Sequence, residues 1–163
     1  MPAKTAKEFM KRHWDRTVPV DVDALAHAAG VRVKPVQSIP GADSASGCYE
    51  VDAGGEGTIR YVLSEPLVRR RFITAHELGH HVLGHASSKE TVFRDDPSHF
   101  SSHATDPRER EANQFAAEVL MPELAIRYFI QEKGITDLAE LARKMQVSQV
   151  AMKYRLKNLG WLT

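Results

Sequence analysis

A chain of 163 residues, 42% hydrophobic and 26% charged, has the size and composition of one ordinary globular domain, which excludes a large multidomain machine, a disordered tail and a fibrous repeat. A formal net charge of +1 supplies no global field toward nucleic acid or anionic lipid, so any such partner needs a local patch. Cys48 is the one cysteine, which excludes an internal disulfide, and the absence of a signal-like apolar segment or a membrane-length apolar run makes the cytoplasm the expected compartment.

Ala6, Phe9, Met10 and His13 fall at the spacing of one helical face and predict a short first helix. Asp21 is placed to cap a second helix that runs to Ala29, with Gly30 just beyond its end. Three β-rich runs follow, VRVKPV (31–36), GCYEVD (47–52) and TIRYVLS (58–64), the last two joined by AGGEG, and they predict a small three-stranded sheet. Helical period returns over 66–84, with Pro66 in the first turn, Ala75, Leu78 and Val82 in an apolar stripe and Gly84 at the stop.

Residues 86–106 are polar, serine-rich and without period, too long for an ordinary connector, and read as a mobile lid or a disordered stretch. A helix then runs from Asp106-Pro107 to Leu120, where Met121-Pro122 ends it. Shorter helices are predicted over 123–133, over 137–145 opened by Thr136, and over 149–159 opened by Ser148, the last two in a helix-turn-helix pattern. The fold class is therefore α+β, a small three-stranded sheet packed on helices over 1–122 with a helix-turn-helix-like lobe over 123–163 that shares the core.

His76-Glu77-Leu78-Gly79-His80 matches H-E-x-x-H inside the stretch that periodicity makes helical. Residues four apart lie within about 40° on one helical face and one turn apart, so both imidazoles can grip one metal ion. Glu77 is rotated roughly 100° from His76, where its carboxylate reaches a metal-bound water instead of completing the ligand set, the position of a general base. Zinc suits such donors, and Mn2+ or Fe2+ tolerate them.

A third ligand is required, and the longer H-E-x-x-H-x-x-G-x-x-H pattern does not supply it, because Leu83 and Ala86 stand where glycine and histidine are needed. Glu109 is a candidate in the first turn of the next helix, with Asn113 one turn later on the same face, able to hold a histidine's other ring nitrogen. Asp106 to Glu109 also reads as a capping box, in which Glu109 bonds back to the backbone. Glu111 is the alternative carboxylate, and His99 and His103 are alternatives in a segment whose ordering costs entropy.

Residues 141–163 carry Arg143, Lys144, Lys153, Arg155 and Lys157 and no acid, which supports a competing reading as a DNA-binding module, with Gln149, Lys153 and Lys157 along one side of the last helix. A small apolar helical core and the helix dipole account for the same residues. A regulatory partner protein of the toxin–antitoxin kind is a third class, which gene neighbourhood would reveal. Tyr128, His99 and His103 are undecided candidates for an oxyanion donor. TIRYVLS is the candidate sheet edge for an extended substrate. Cys48 reads as a small buried apolar residue, with a metal-blocking thiolate as the rarer alternative.

RRRFITAHELGHHVLGH (69–85) followed by EREANQFAAEVLMP (109–122) resembles the ImmA/IrrE family of bacterial metallo-endopeptidases. VPVDVDALAHAAGVRVKPV, the sheet segment and LAELARKMQVSQVAMKYRLKNLG extend the resemblance over nearly the whole chain. It implies a zincin-like metalloprotease domain over 1–122 and a cytoplasmic gluzincin-type protease that cleaves Xre-like helix-turn-helix repressors, prophage repressors included, to induce the genes they silence, as in stress responses. It further implies His76, His80 and Glu109 as zinc ligands and Glu77 as the catalytic acid/base. No appended sensor domain, which some members carry, is expected here.

Overall fold

The computed structural model describes residues 2–101 and 103–163. Helix α1 (Ala6–His13) starts where the Thr5 hydroxyl accepts from the Glu8 N–H, and it buries Ala6, Phe9 and Met10 of the expected face while His13 stays exposed. Helix α2 (Val22–Ala28) starts at Asp21, whose carboxylate accepts from the Ala24 N–H.

Strands β1 (Arg32–Val36), β2 (Gly47–Val51), β3 (Gly57–Val62) and β4 (Val92–Asp95) form a four-stranded sheet in the order β1-β3-β2-β4. The sheet is mixed, because β1 pairs parallel to β3 while β2 pairs antiparallel to both β3 and β4. The expected sheet is thus short by one strand. The TIRYVLS segment is also not an edge, since β3 is paired on both sides.

The added strand comes from the serine-rich stretch read above as lid or disorder. Four residues are too few to show an alternating pattern, and β4 is held by contacts that no local signal reports. Phe93 is buried, stacked on His80 with ring centroids 4.4 Å apart, and a 3-10 turn (Pro97–Phe100) then buries Phe100. Ser102, in the same stretch, lies outside the described residues.

Helix α3 (Leu67–Val82) lies between the sheet and helix α4 (Pro107–Leu120), and two glycines set the spacing of these layers. A Cβ at Gly47 would stand 2.4 Å from Ile73 Cγ2, so only glycine lets β2 begin directly against α3. A Cβ at Gly79 would meet the Ala112 Cα at 3.2 Å and Phe115 Cδ1 at 3.1 Å, so α3 and α4 approach almost backbone to backbone.

The C-terminal helices differ in detail from expectation. Helix α5 (Glu123–Arg127) passes into a π-helical turn (Tyr128–Glu132) in place of one uniform helix. Helix α6 (Leu138–Met145) is capped by Asp137, which accepts from the Glu140 N–H, and not by Thr136. Helix α7 (Gln149–Asn158) is capped by Ser148 as expected. One apolar cluster contains Ala75 and Ala116 from α3 and α4 together with Leu141, Met145, Met152 and Leu156 from α6 and α7. Arg71 fastens the same seam by donating to the carbonyls of Val20, Met145 and Gln146. Among the described residues no helix is long and apolar enough to cross a membrane.

Candidate metal centre

The third and fourth turns of α3 carry His76, Glu77 and His80, all with 0% exposure, because the apolar stripe that pins α3 between sheet and α4 carries them inward. The N-terminus of α4 is fixed by Asp106, which accepts from the Arg108 N–H, and by Pro107 in the first turn. That cap points Glu109 at α3. Glu109 is itself buried, with Oε1 2.8 Å from His80 Nε2 and Oε2 3.4 Å from His76 Nε2, so the capping-box alternative for its side chain does not hold. Asp95 enters from the end of β4, and His76, His80, Asp95 and Glu109 each bring one donor atom within 4.8 Å of the others.

The donor set suits a divalent cation. Among the described residues His76 Nε2, Glu109 Oε2 and both carboxylate oxygens of Glu77 are buried without a hydrogen-bond partner, a cost that a folded chain leaves uncompensated only rarely and that a bound cation and its water would remove. Both imidazoles keep Nε2 toward this point because their Nδ1 atoms are engaged elsewhere. Asn113 Oδ1 accepts from His76 Nδ1 at 2.7 Å, while the Asn113 amide donates to the His99 and Ser101 carbonyls at 2.9 and 3.3 Å, which fixes the side chain's orientation. His80 Nδ1 lies 2.8 Å from His85 Nδ1, and His85 Nε2 lies 3.1 Å from Glu111. Phe100 packs edge-on to His76 with ring centroids 4.6 Å apart, and Phe93 covers His80.

The electrostatics agree with this donor set. Burial pulls the His76 pKa down, but the nearby Asp95 and Glu109 carboxylates outweigh it and push the value up to about 9, so the metal-free cluster retains a proton where a cation would sit. Burial, followed by the Asp95 charge, holds the Glu77 carboxyl well above the usual carboxylate range. Asp95 is penalised by burial too, yet the neighbouring Glu77 carboxyl and the His76 and His80 rings keep it below that range. Of these two carboxyls, Glu77 is therefore the one that holds a proton more readily.

The remaining candidates separate by position. His99 reaches the rim, 3.0 Å from Asp95 Oδ1, whereas His103 lines a neighbouring groove and Tyr128 is half exposed against Phe129 on the π-helical turn. Glu111 serves His85 and does not join the cluster. Cys48 is buried with Ile39 and Ala45 and is outside the donor group, its thiol pushed up by burial. Arg155 is withdrawn from the basic face of the C-terminal lobe, since it is 8% exposed and donates to the Met121 carbonyl.

Two participants, Asp95 and His85, match no complete sequence signature. Asp95 stands in a segment without period. His85 misses the longer zinc signature by one residue, and that near miss was the only signal available.

A comparison with curated proteins finds no match. The model of a family described as the IrrE N-terminal-like domain (Peptidase_M78) matches residues 26–157, covering α3, β4 and α4 as well as the C-terminal helices. With the H-E-x-x-H helix and the E-x-x-A-N helix inside that match and facing each other across one buried cluster, the chain belongs to this metallopeptidase family, the one its motifs resemble.

Proposed function

We propose that the protein is a zinc-dependent endopeptidase that cleaves a helix-turn-helix repressor of the Xre type and thereby releases the genes it silences. The observation that carries this reading is the convergence of His76, His80 and Glu109 on one buried point beside a Glu77 carboxylate that has no hydrogen-bond partner among the described residues. Zinc, or manganese or iron(II) through the same donors, would polarise the scissile carbonyl and acidify a water when bound there. Glu77 takes the proton of the attacking water and passes it to the departing amine, a task that fits its raised proton affinity. Asn113 and His85 hold the two imidazoles with Nε2 inward throughout.

Substrate engagement is supported by two surfaces. β4 is an edge strand that ends at the cluster, so an extended segment can add to it and bring a peptide bond to Glu77. A groove of about 830 Å3 between α3, α4 and α7 is bordered by Phe72, Phe100, Val150 and Tyr154, with Arg69 and Arg110 at its side, and it offers the C-terminal lobe a role in holding a protein substrate. The DNA-binding alternative loses one of its five cations to the interior, because Arg155 is bonded to the Met121 carbonyl.

Incubating the metal-loaded protein with the helix-turn-helix repressor encoded beside its gene tests the reading. Fragments are expected from the unaltered protein, and Glu77→Gln is expected to keep the ion while losing cleavage by roughly 10²–10⁴-fold. A DNA-binding module would be indifferent to that substitution. An intact repressor in both reactions, with metal bound, would remove the proposed substrate.

A further inference from the structure

Asp95 is set apart from the other carboxylates by the side of the imidazoles that it faces. A carboxylate that merely orients a metal-bound histidine accepts from the ring nitrogen turned away from the metal. Those nitrogens are taken here, by Asn113 at His76 and by His85 at His80. Asp95 Oδ2 instead lies 3.5 Å from His76 Nε2 and 3.2 Å from His80 Nε2, on the metal side of both rings. Its other oxygen is anchored by His99 Nδ1 at 3.0 Å, which leaves Oδ2 aimed at the centre.

The spacing has a physical meaning. Four donors at tetrahedral corners, each about 2.0–2.1 Å from a zinc ion, stand about 3.3–3.4 Å from one another. The 3.5 and 3.2 Å separations of Asp95, and the 3.4 Å between Glu109 Oε2 and His76 Nε2, are edges of that size. Two carboxylates also balance the charge of a divalent ion in a pocket where both are at most 5% exposed.

We propose that Asp95 is a fourth protein ligand, seated at the tetrahedral corner that a working metallopeptidase leaves to water, so that the resting centre is closed and opens when β4 carries Asp95 away. This rests on the metallopeptidase reading above. β4 suits the part, being a four-residue edge strand that among the described residues pairs with β2 alone, with Asp95 as its last residue opposite Gly47. A substrate segment that adds to the outer side of β4 therefore acts on the one element that closes the site.

Cobalt(II)-substituted protein, read by visible absorption and titrated with azide, tests the assignment without any substrate. The unaltered protein is expected to show a four-coordinate spectrum that azide does not change. Asp95→Ala is expected to change that spectrum, to bind azide, and to hold zinc at least tenfold more weakly against a chelating indicator; turnover of an unstructured peptide is expected to rise. Asp95→Asn, which keeps the size of the side chain, provides the same readouts should Asp95→Ala fold poorly, as judged by circular dichroism. Equal azide binding by unaltered and Asp95-substituted proteins, or an unchanged spectrum and affinity in both variants, overturns the proposal while leaving the peptidase reading in place. Failure of the unaltered protein to bind cobalt or zinc overturns both.

Discussion

His85 reaches no metal-side atom, yet the chemistry of its two nitrogens is constrained from both ends. If His80 coordinates through Nε2, its Nδ1 carries the proton and donates to His85 Nδ1, which obliges His85 to carry its own proton on Nε2 and donate it to Glu111. The chain from Glu111 through His85 to His80 therefore selects one tautomer and holds one ring orientation. His85→Ala is expected to weaken zinc binding about 10–100-fold, and Glu111→Gln less, because Glu111 is largely exposed. Competition against a chelating indicator measures this, and an unchanged affinity in a folded His85→Ala protein would show the contact to be incidental.

Secondary-structure elements deliver these residues, and α4 shows how local stability becomes site geometry. Asp106 accepts from the Arg108 backbone N–H and pairs with the Arg108 guanidinium, and Glu109 sits in the turn that this cap orders. Asp106→Ala is expected to cost about 1 kcal/mol of stability and, by fraying the turn that aims Glu109, to weaken metal affinity more than an equally destabilising change in α7. Paired denaturation and metal titrations separate the two effects; equal losses of metal affinity from both helices would mean that the cap acts on global stability alone. Elements were legible where their signals are local. The stripes of α1, α3 and α4, the Asp21, Asp106 and Ser148 caps, and the runs that became β1 to β3 all lie in neighbouring residues. β4 was not, since its reason for being a strand is the edge of β2 and the cover over His80, both far away in sequence.

At the scale of the whole molecule, a buried cluster assembled from α3, β4 and α4 couples folding to its occupant. His76 is pushed up to about 9 from 6.5 by carboxylates that outweigh its burial, so its proton stabilises the metal-free fold. The sign follows from the raised value: the contribution is complete below pH 6.5 and is lost as the pH rises through about 9, an effect on the order of 3 kcal/mol. Glu77, also raised, adds a loss of the same sign beginning above the ordinary carboxylate range. A bound ion replaces the His76 proton, so thermal denaturation should show the chelated protein losing stability between pH 6.5 and 9 and the loaded protein holding it. Parallel pH profiles for the two forms would contradict this.

The amino-acid order by itself determined the paired histidines, the position of Glu77 between them, the pairing of Glu109 with Asn113 and the family, because one helical turn brings each pair together without help from the rest of the chain. Tertiary structure alone decided that β3 is central, that Glu111 serves His85 and stays out of the cluster, and that Asp95 and His85 stand beside the paired histidines. Those outcomes depend on which strand pairs with which and how closely α3 and α4 approach at Gly79, and contacts between distant segments leave no periodic trace in the segments themselves.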